Sequence, residues 1–233
     1  MELSKRLQAV ADLLSEGLRV ADVGTDHGYI PIYLVETGKC PSALAMDINE
    51  GPILRAKEHI ERHGLQDRIT VRRSDGVKAL KIGECDSVNI AGMGGALAIR
   101  IMEDGRDIFK SLQEFVLQPQ SELDKVRQYL CMNGYRIVDE DMVLEDGKYY
   151  PMMKVVNAQP EEYSNAEFQY GKKLLEKKHP VLKQFLEKEE LTKKQIIKNL
   201  ERGQGEHIQK RIEELKLGLG YIKEALRVYD SEE

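Results

Sequence analysis

The chain has 233 residues, with 35 Lys or Arg side chains against 40 Asp or Glu, and carries a formal net charge of −5. This length suits one α/β domain with an appendage, and the 41% of hydrophobic residues can form a core. No apolar run reaches the ~18 residues of a membrane span, which excludes a helical membrane protein. Cys40, Cys85 and Cys131, spaced 45 and 46 residues apart, match neither a disulfide framework nor a metal site. The cysteine spacing leads us to expect no bound metal. The first residues suggest an amphipathic helix rather than a signal peptide, so we expect a cytoplasmic protein.

Short apolar runs alternate with helical patterns over the first two-thirds of the chain. After an amphipathic helix over residues 1–14, strands are predicted over 18–23, 43–47, 69–73, 87–90 and 115–118, and helices over 29–37, 50–64, a segment ending at 102, and 121–133. Two closing strands, 136–143 and 149–157, flank an Asp-Gly turn typical of a β-hairpin. This alternation predicts an α/β fold whose mostly parallel sheet gains one antiparallel edge strand from the hairpin. The ligand of such a sheet lies beyond the carboxyl ends of its strands.

Strand patterns stop near Pro160, and Lys, Glu and Leu dominate the remaining residues. Apolar residues from Ile208 to Leu226 recur at alternating steps of four and three, which is the heptad seam of a coiled coil. A partner stripe between Leu182 and Leu200 predicts an antiparallel helical pair, and a weaker helix is predicted over 161–178. We therefore divide the chain into a domain of residues 1–160 and a helical coiled-coil domain of residues 161–233.

The helical domain contains a basic stretch. Residues 172–202 carry ten Lys or Arg against five Glu. Such an excess marks either a solvated helix face or a surface that contacts phosphates.

The loop after the first strand, Asp22-Val23-Gly24-Thr25-Asp26-His27-Gly28, lies where an α/β sheet binds a nucleotide cofactor. Asp26 stands where the dinucleotide fingerprint Gly-x-Gly-x-x-Gly has its second glycine. Carboxylates at Asp22 and Asp26 oppose a pyrophosphate, whereas they attract the sulfonium and ammonium groups of S-adenosylmethionine. The loop therefore favours S-adenosylmethionine over a dinucleotide.

Acids also follow the second and third strands. Asp47 lies 23 residues after Gly24, where a carboxylate takes the ribose hydroxyls of a cofactor. Asp75 follows the third strand, within reach of an adenine amino group. The competing interpretation is that both acids only cap helices. The fourth strand ends in a run that includes Asn89 and three glycines, which suggests a backbone held against a ligand.

These motifs together resemble the bacterial TrmK family. They are DVGTDHGYIP at 22–31, Asp47, SDG at 74–76, NIAGMGG at 89–95 and LQPQ at 117–120, and the helical tail extends the resemblance over nearly the whole chain. The family comprises S-adenosylmethionine-dependent tRNA methyltransferases that form N1-methyladenosine at tRNA position 22. The resemblance implies a Rossmann-like class I methyltransferase sheet of seven strands, the last antiparallel, with a C-terminal coiled coil and tRNA as the substrate.

The motifs and the resemblance assign roles to individual residues. The residues predicted to hold the cofactor are Gly24, Asp26, His27, Gly28, Asp47, Ile48, Asp75, Gly76, Asn89, Gly92 and Met93. Asp26 is also the candidate catalytic residue, because a carboxylate stabilises the cationic N1-methyl product. This chain lacks the Asn/Asp-Pro-Pro-Tyr motif of other adenine methylators, so Tyr29 or Met93 is the candidate face for the target adenine. Lys193, Lys194 and Lys198 are the candidate tRNA contacts.

Other interpretations stay open at this point. Arg6 is either the partner of the cofactor's methionine carboxylate or a surface arginine, and His27 either accepts a proton or is structural. A methyltransferase acting on another RNA or on a small molecule has the same sheet, as does an inactive tRNA-binding protein. A nicotinamide dehydrogenase is disfavoured by Asp26. A heptad seam satisfied within one chain predicts a monomer.

Overall fold

The computed structural model describes residues 1–230. The chain forms two compact units, Met1–Glu161 and a second that begins at Glu162. This division lies one residue from the boundary that the change in composition predicts. No helix within residues 1–230 combines the length and the apolar character that a bilayer span requires.

The first unit is a seven-stranded sheet with helices between its strands. Its strands are β1 (Val20–Val23), β2 (Ala43–Asp47), β3 (Ile69–Arg73), β4 (Ser87–Met93), β5 (Glu114–Pro119), β6 (Tyr135–Glu145) and β7 (Lys148–Asn157). Its helices are α1 (Lys5–Leu13), α2 (Tyr29–Glu36), α3 (Glu50–Arg62), α4 (Gly95–Asp104), α5 (Arg106–Ser111) and α6 (Leu123–Met132). The strand order is β3-β2-β1-β4-β5-β7-β6, and only β7 runs antiparallel to its neighbours. The predicted Rossmann-like sheet is confirmed.

The hairpin of β6 and β7 corrects one detail of the prediction. The antiparallel strand β7 lies inside the sheet between β5 and β6, and β6 forms the edge. The reason is composition: β7 brings Met152, Met153 and Val155, all fully buried, to the interior position. β6 carries acids near its centre, and charged residues suit an edge strand. Asp146 and Gly147 connect the two strands with φ values of 48° and 73°, as a two-residue hairpin turn requires.

Two further differences concern short elements. β4 extends three residues beyond its predicted end, through a bulge between Ala91 and Met93. The helix α5 was not predicted, because its six residues are too few to show a helical period. The extension of β4 matters for the site, since it directs Met93 across the end of β1.

One apolar core cluster packs the first helices against the sheet. Val10 of α1, Ile32 and Leu34 of α2, Ala45 of β2 and Val116 of β5 are all fully buried in it. Because α1 and α2 are both fixed on the sheet, so are the two ends of the loop that leads from β1 into α2.

The second unit contains α7 (Asn165–Tyr170), α8 (Lys172–Glu176), α9 (Pro180–Leu200) and α10 (Glu206–Asp230). The weak helix predicted over 161–178 is two short helices, divided at Gly171, whose φ is +95°. α9 and α10 form an antiparallel pair around Ile197, Ile212 and Leu215. The predicted helical pair is present in residues 162–230. Its coiled-coil character stays a prediction, and the last three residues of the predicted domain lie outside the described residues.

Candidate active site

The carboxyl ends of β1, β2, β3 and β4 lie along one edge of the sheet, and the order of connection reverses between β1 and β4. Ligands of open α/β sheets bind at such a reversal. Two neighbouring cavities open there, and Gly24 lines both of them.

The first cavity, of about 190 Å³, lies over the end of β1. It is lined by Arg6, Leu7, Asp22, Gly24, Thr25, Asp26, His27, Tyr29, Ile30 and Ala91. The second cavity, of about 110 Å³, lies over the ends of β2 and β3. It is lined by Val23, Gly24, Asp47, Ile48, Ser74, Asp75, Gly76, Met93, Leu97, Arg100 and Ile101. The first is rich in charged and aromatic groups, whereas the second joins two acids to an apolar wall.

Eight of the eleven residues predicted to hold the cofactor line one of these cavities. The exceptions are Gly28, Asn89 and Gly92. Gly28 begins α2 in the left-handed region, with φ +70°, where only glycine is free of strain. Asn89 is fully buried behind the first cavity, and the N–H of Gly92 donates to Gln118 Oε1 at 3.2 Å. These three residues shape the site without lining it.

Met93 lines the second cavity and lies against Gly24, which borders both cavities. A Cβ atom built on Gly24 lies only 2.2 Å from Met93 Cε, so the thioether methyl rests directly on the Gly24 backbone. Gly24 has φ +82°, which other residues adopt only with strain. The absence of a side chain at position 24 therefore leaves space between the two cavities, and the Met93 methyl group occupies it.

Asp22, at the end of β1, is the buried acid of the first cavity. Its carboxylate is 6% exposed and accepts a hydrogen bond of 2.6 Å from Asn89 Nδ2. Burial raises the pKa of Asp22 above its usual value, and the Asn89 amide opposes this by stabilising the charged form. Asn89 thus supports Asp22 through this hydrogen bond, and its predicted role in holding the cofactor stays a prediction.

Asp26 is not a free carboxylate. It forms an ion pair with Arg55 of α3, and its second oxygen lies 3.5 Å from His27 Nε2. The Asp26 side chain is 63% exposed, so it lies at the mouth of the first cavity. The sequence did not indicate Arg55, because the two residues are 29 positions apart.

Three aromatic rings gather at the same mouth. His27 stacks on Tyr29 with ring centroids 5.1 Å apart and planes 11° from parallel. His59 of α3 packs on both, at 5.2 Å from His27 and 5.7 Å from Tyr29. Tyr29 remains partly exposed and lines the first cavity together with His27, so the cluster places two aromatic rings at this cavity.

The two acids of the second cavity already hold local partners. Asp47 Oδ1 accepts the N–H of Asn49 at 2.7 Å, and Asn49 precedes α3. Asp75 pairs with Lys78 at 2.6 Å, and this ammonium holds the pKa of Asp75 below its usual value. The contact of Asp47 is not a helix cap, because it is made with the N-cap residue Asn49 itself and α3 has no side-chain cap. The second oxygen of Asp47 makes no hydrogen bond within the described residues.

Arg6 lies in the first cavity through a contact that the sequence did not indicate. Its Nη1 donates to Gln118 Oε1 at 2.9 Å, and its guanidinium lies 5.5 Å from the ring centre of Tyr150. Within residues 1–230 Arg6 forms no ion pair. It is therefore a cation available to an anionic ligand group, held by Gln118 of the LQPQ motif.

The candidate tRNA contacts of α9 differ from one another. Lys193 pairs with Glu189 at 2.5 Å and lies along Gly218 of α10, so it supports the helical pair. Lys194 pairs with Glu190 at 2.7 Å. Lys198 has no acidic partner among the described residues.

No group of three or more His, Cys, Asp or Glu side chains that could hold a metal ion occurs within residues 1–230. The cavities instead fit S-adenosylmethionine. Acids lie at Asp22, Asp47 and Asp75, and Arg6 is the cation at one end. Such a set suits a ligand with two positive groups, one carboxylate and a nucleoside.

The sheet order and the two cavities define the methyltransferase class. A family profile described as a methyltransferase domain matches residues 3–153. The tRNA (adenine(22)-N(1))-methyltransferase of Bacillus subtilis is 42% identical over 153 residues, which are 66% of this chain and 64% of that protein.

Solved structures cover more of the chain. The Bacillus subtilis m1A22 tRNA methyltransferase TrmK is 33% identical, with a TM-score of 0.86 over 96% of this chain and 98% of its own. TrmK of M. capricolum, in complex with S-adenosyl-homocysteine, is 27% identical, with a TM-score of 0.86 over 98% of this chain and 99% of its own. The chain belongs to the TrmK family. The predictions of a methyltransferase and of S-adenosylmethionine as its cofactor are confirmed.

Proposed function

We propose that this chain transfers the methyl group of S-adenosylmethionine to N1 of an adenine in tRNA, at position 22, as a cytoplasmic monomer. The observation that carries the proposal is the pair of neighbouring cavities that both border Gly24, of which the first has the rings of His27 and Tyr29 in its described lining and the second has none. The names of the relatives support the substrate and the position.

The two cavities divide the cofactor between them. Asp47 holds the ribose hydroxyls in the second cavity, and Asp75 and Ile48 hold the adenine. Arg6 takes the methionine carboxylate in the first cavity, while Asp22 balances the positive charges. When bound, the cofactor supplies an electrophilic methyl group on a positively charged sulfur. The reactive end of the cofactor is therefore directed toward the rings.

The target adenine needs alignment more than activation, because its N1 carries a lone pair. The exposed face of Tyr29 provides a stacking surface beside the cofactor, and such pre-positioning supplies much of the rate enhancement of group transfer. N1 lies on the Watson–Crick edge, so the nucleotide leaves its stack at a cost of a few kcal/mol. The basic stretch of the second unit offsets this cost through phosphate contacts.

Asp26 stabilises the positive charge that develops on the methylated base. Asp26→Asn is expected to lower kcat about tenfold, ~1.4 kcal/mol, while leaving KM for tRNA nearly unchanged. The effect is moderate because Arg55 already neutralises part of this charge. Steady-state kinetics check it, and an unchanged kcat removes Asp26 from the mechanism.

Met93 covers the point at which the cofactor joins the two cavities. Met93→Ala is expected to tighten S-adenosylmethionine binding about fivefold, because moving one flexible side chain from its contacts costs ~1 kcal/mol. Titration calorimetry measures the affinity, and Met93→Leu, which keeps the bulk, is the control. Weaker binding in the alanine variant would mean that Met93 holds the cofactor instead of covering its path.

Among the three candidate tRNA contacts of α9, Lys198 has no acidic partner within the described residues, so it breaks no ion pair when it meets a phosphate. Lys198→Gln is expected to lower the slope of log affinity against log salt for tRNA by about one unit. Lys216→Gln on α10 removes the same charge from the same helical pair and serves as the control. Equal slopes for wild type and Lys198→Gln would return α9 to a structural role.

The proposed function has one direct test. Unmodified tRNA transcript is incubated with the purified protein and S-adenosylmethionine, then digested and analysed for N1-methyladenosine by mass spectrometry. The modified nucleoside is expected, and a transcript in which position 22 is not adenine is expected to give none. Absence of the product, with cofactor binding intact, would overturn the proposal.

A further inference from the structure

The loop that carries Asp26 and His27 has almost no backbone support. Before it, the N–H groups of Gly24 and Thr25 donate to Met46 O at 2.8 and 2.9 Å. Among the described residues, the backbone of Asp26 and His27 makes one hydrogen bond: the carbonyl of His27 faces His59 Nδ1 at 3.1 Å. A segment with so few backbone bonds needs other contacts to keep one conformation.

Helix α3 supplies those contacts from two side chains. Arg55 and His59 are four residues apart, so they project from one face of the helix. Arg55 pairs with the Asp26 carboxylate, and His59 meets the next residue through both its ring and its Nδ1 atom. The loop is thereby tied to α3 at two consecutive residues.

These ties fix the orientation of the rings. The planes of His27 and Tyr29 lie 11° apart, whereas the His59 ring is tilted by 35° and 42° against them. A tilted ring beside a stacked pair limits rotation of both. Because a carbonyl oxygen only accepts, the His59 ring must carry its proton on Nδ1.

We infer that Arg55 and His59 are positioning residues, which hold the Tyr29 ring face toward the first cavity for the target base. This inference rests on the proposed function. Neither residue lines either cavity, so both act through Asp26, His27 and Tyr29. Arg55 orients the acid at the cavity mouth, and His59 orients the stacking surface. Base alignment is sensitive to such displacements, since ~1 Å of misplacement can cost up to ~100-fold in rate.

The test compares His59 of α3 with His63, the residue that follows the last residue of this helix. His59→Ala is expected to lower kcat/KM for tRNA about tenfold, while the affinity for S-adenosyl-homocysteine stays that of wild type. His59→Asn restores a donor to the His27 carbonyl and is expected to recover most of the loss. His63→Ala is the control, because His63 Nδ1 contacts Glu36 at 3.0 Å, away from both cavities. It is expected to match wild type.

Two results would overturn the inference: an unchanged kcat/KM in His59→Ala, or an equal loss of cofactor affinity, which would show general loosening of the loop. A wild-type protein that methylates no tRNA would instead overturn the proposed function. The hydrogen bond between His59 Nδ1 and the His27 carbonyl can be measured separately, because imidazole ¹⁵N spectra of the five histidines report their tautomers. An Nδ1–H tautomer is expected for His59, and an Nε2–H tautomer would refute the hydrogen bond to His27.

Discussion

Gly24→Ala is expected to weaken S-adenosylmethionine binding roughly 100-fold, ~2.7 kcal/mol, the cost of overpacking a fitted site. The added methyl group enters the space between the two cavities, at 2.2 Å from the present position of Met93 Cε. Without the cofactor, the Met93 side chain can move away from the added methyl group. When the cofactor binds, it clashes with both the added methyl group and the displaced Met93 side chain. Titration calorimetry with S-adenosylmethionine measures the loss.

A second glycine separates this effect from backbone strain. Gly38 has φ +76°, close to the +82° of Gly24, and a Cβ atom there meets nothing within 4 Å. Gly38→Ala therefore carries the same strain of ~1–2 kcal/mol in the free energy of unfolding, with no effect on the cavities. Both variants are expected to melt at lower temperature, and only Gly24→Ala is expected to lose the cofactor. Wild-type affinity in Gly24→Ala would disprove a cofactor path across this residue.

Asp22→Asn is expected to weaken cofactor binding roughly 10- to 100-fold, because it removes a buried negative charge beside two positive groups; hydrogen bonds to charged groups contribute ~1.5–3 kcal/mol. The same substitution is expected to raise the free energy of unfolding at neutral pH. Burial raises the pKa of Asp22, so the folded protein holds a proton on this acid more strongly than the unfolded chain does. The ionised Asp22 carboxylate therefore lowers the free energy of unfolding, while its negative charge favours binding of the positively charged cofactor.

The pH dependence follows with a definite sign. The stabilisation linked to protonated Asp22 is complete below the pKa of the unfolded chain, and it is lost as pH rises through the higher pKa of the folded state. Asp22→Asn removes this component, so the difference in unfolding free energy between variant and wild type grows with pH over that window. Denaturant titrations at several pH values measure it. A variant less stable than wild type at neutral pH would contradict this account.

The sheet and the location of the site were predictable from local patterns. Strands, helices and turns follow from hydrophobic period, and the parallel sheet brings all strand ends to one edge. Asp47 and Asp75 could therefore be placed at this edge from sequence position, and both line the second cavity, while their contact with the cofactor stays a prediction. The order of β6 and β7 did not follow from the Asp-Gly turn and the alternation of the hairpin, which are the same for either strand at the edge; it depends on the apolar run that β7 buries.

The sequence by itself determined which residue types follow each strand, and hence the prediction that a cofactor with positive charges binds over β1, β2 and β3. The residue types at the strand ends are local in the chain, and the strands themselves are recognised from the period of their hydrophobic residues. Only the tertiary structure decided which groups face each other: Met93 over Gly24, Arg55 against Asp26, and Arg6 on Gln118. The last two pairs join residues 29 and 112 positions apart. These contacts depend on the orientation of each helix on the sheet, and the packing of the whole core determines that orientation.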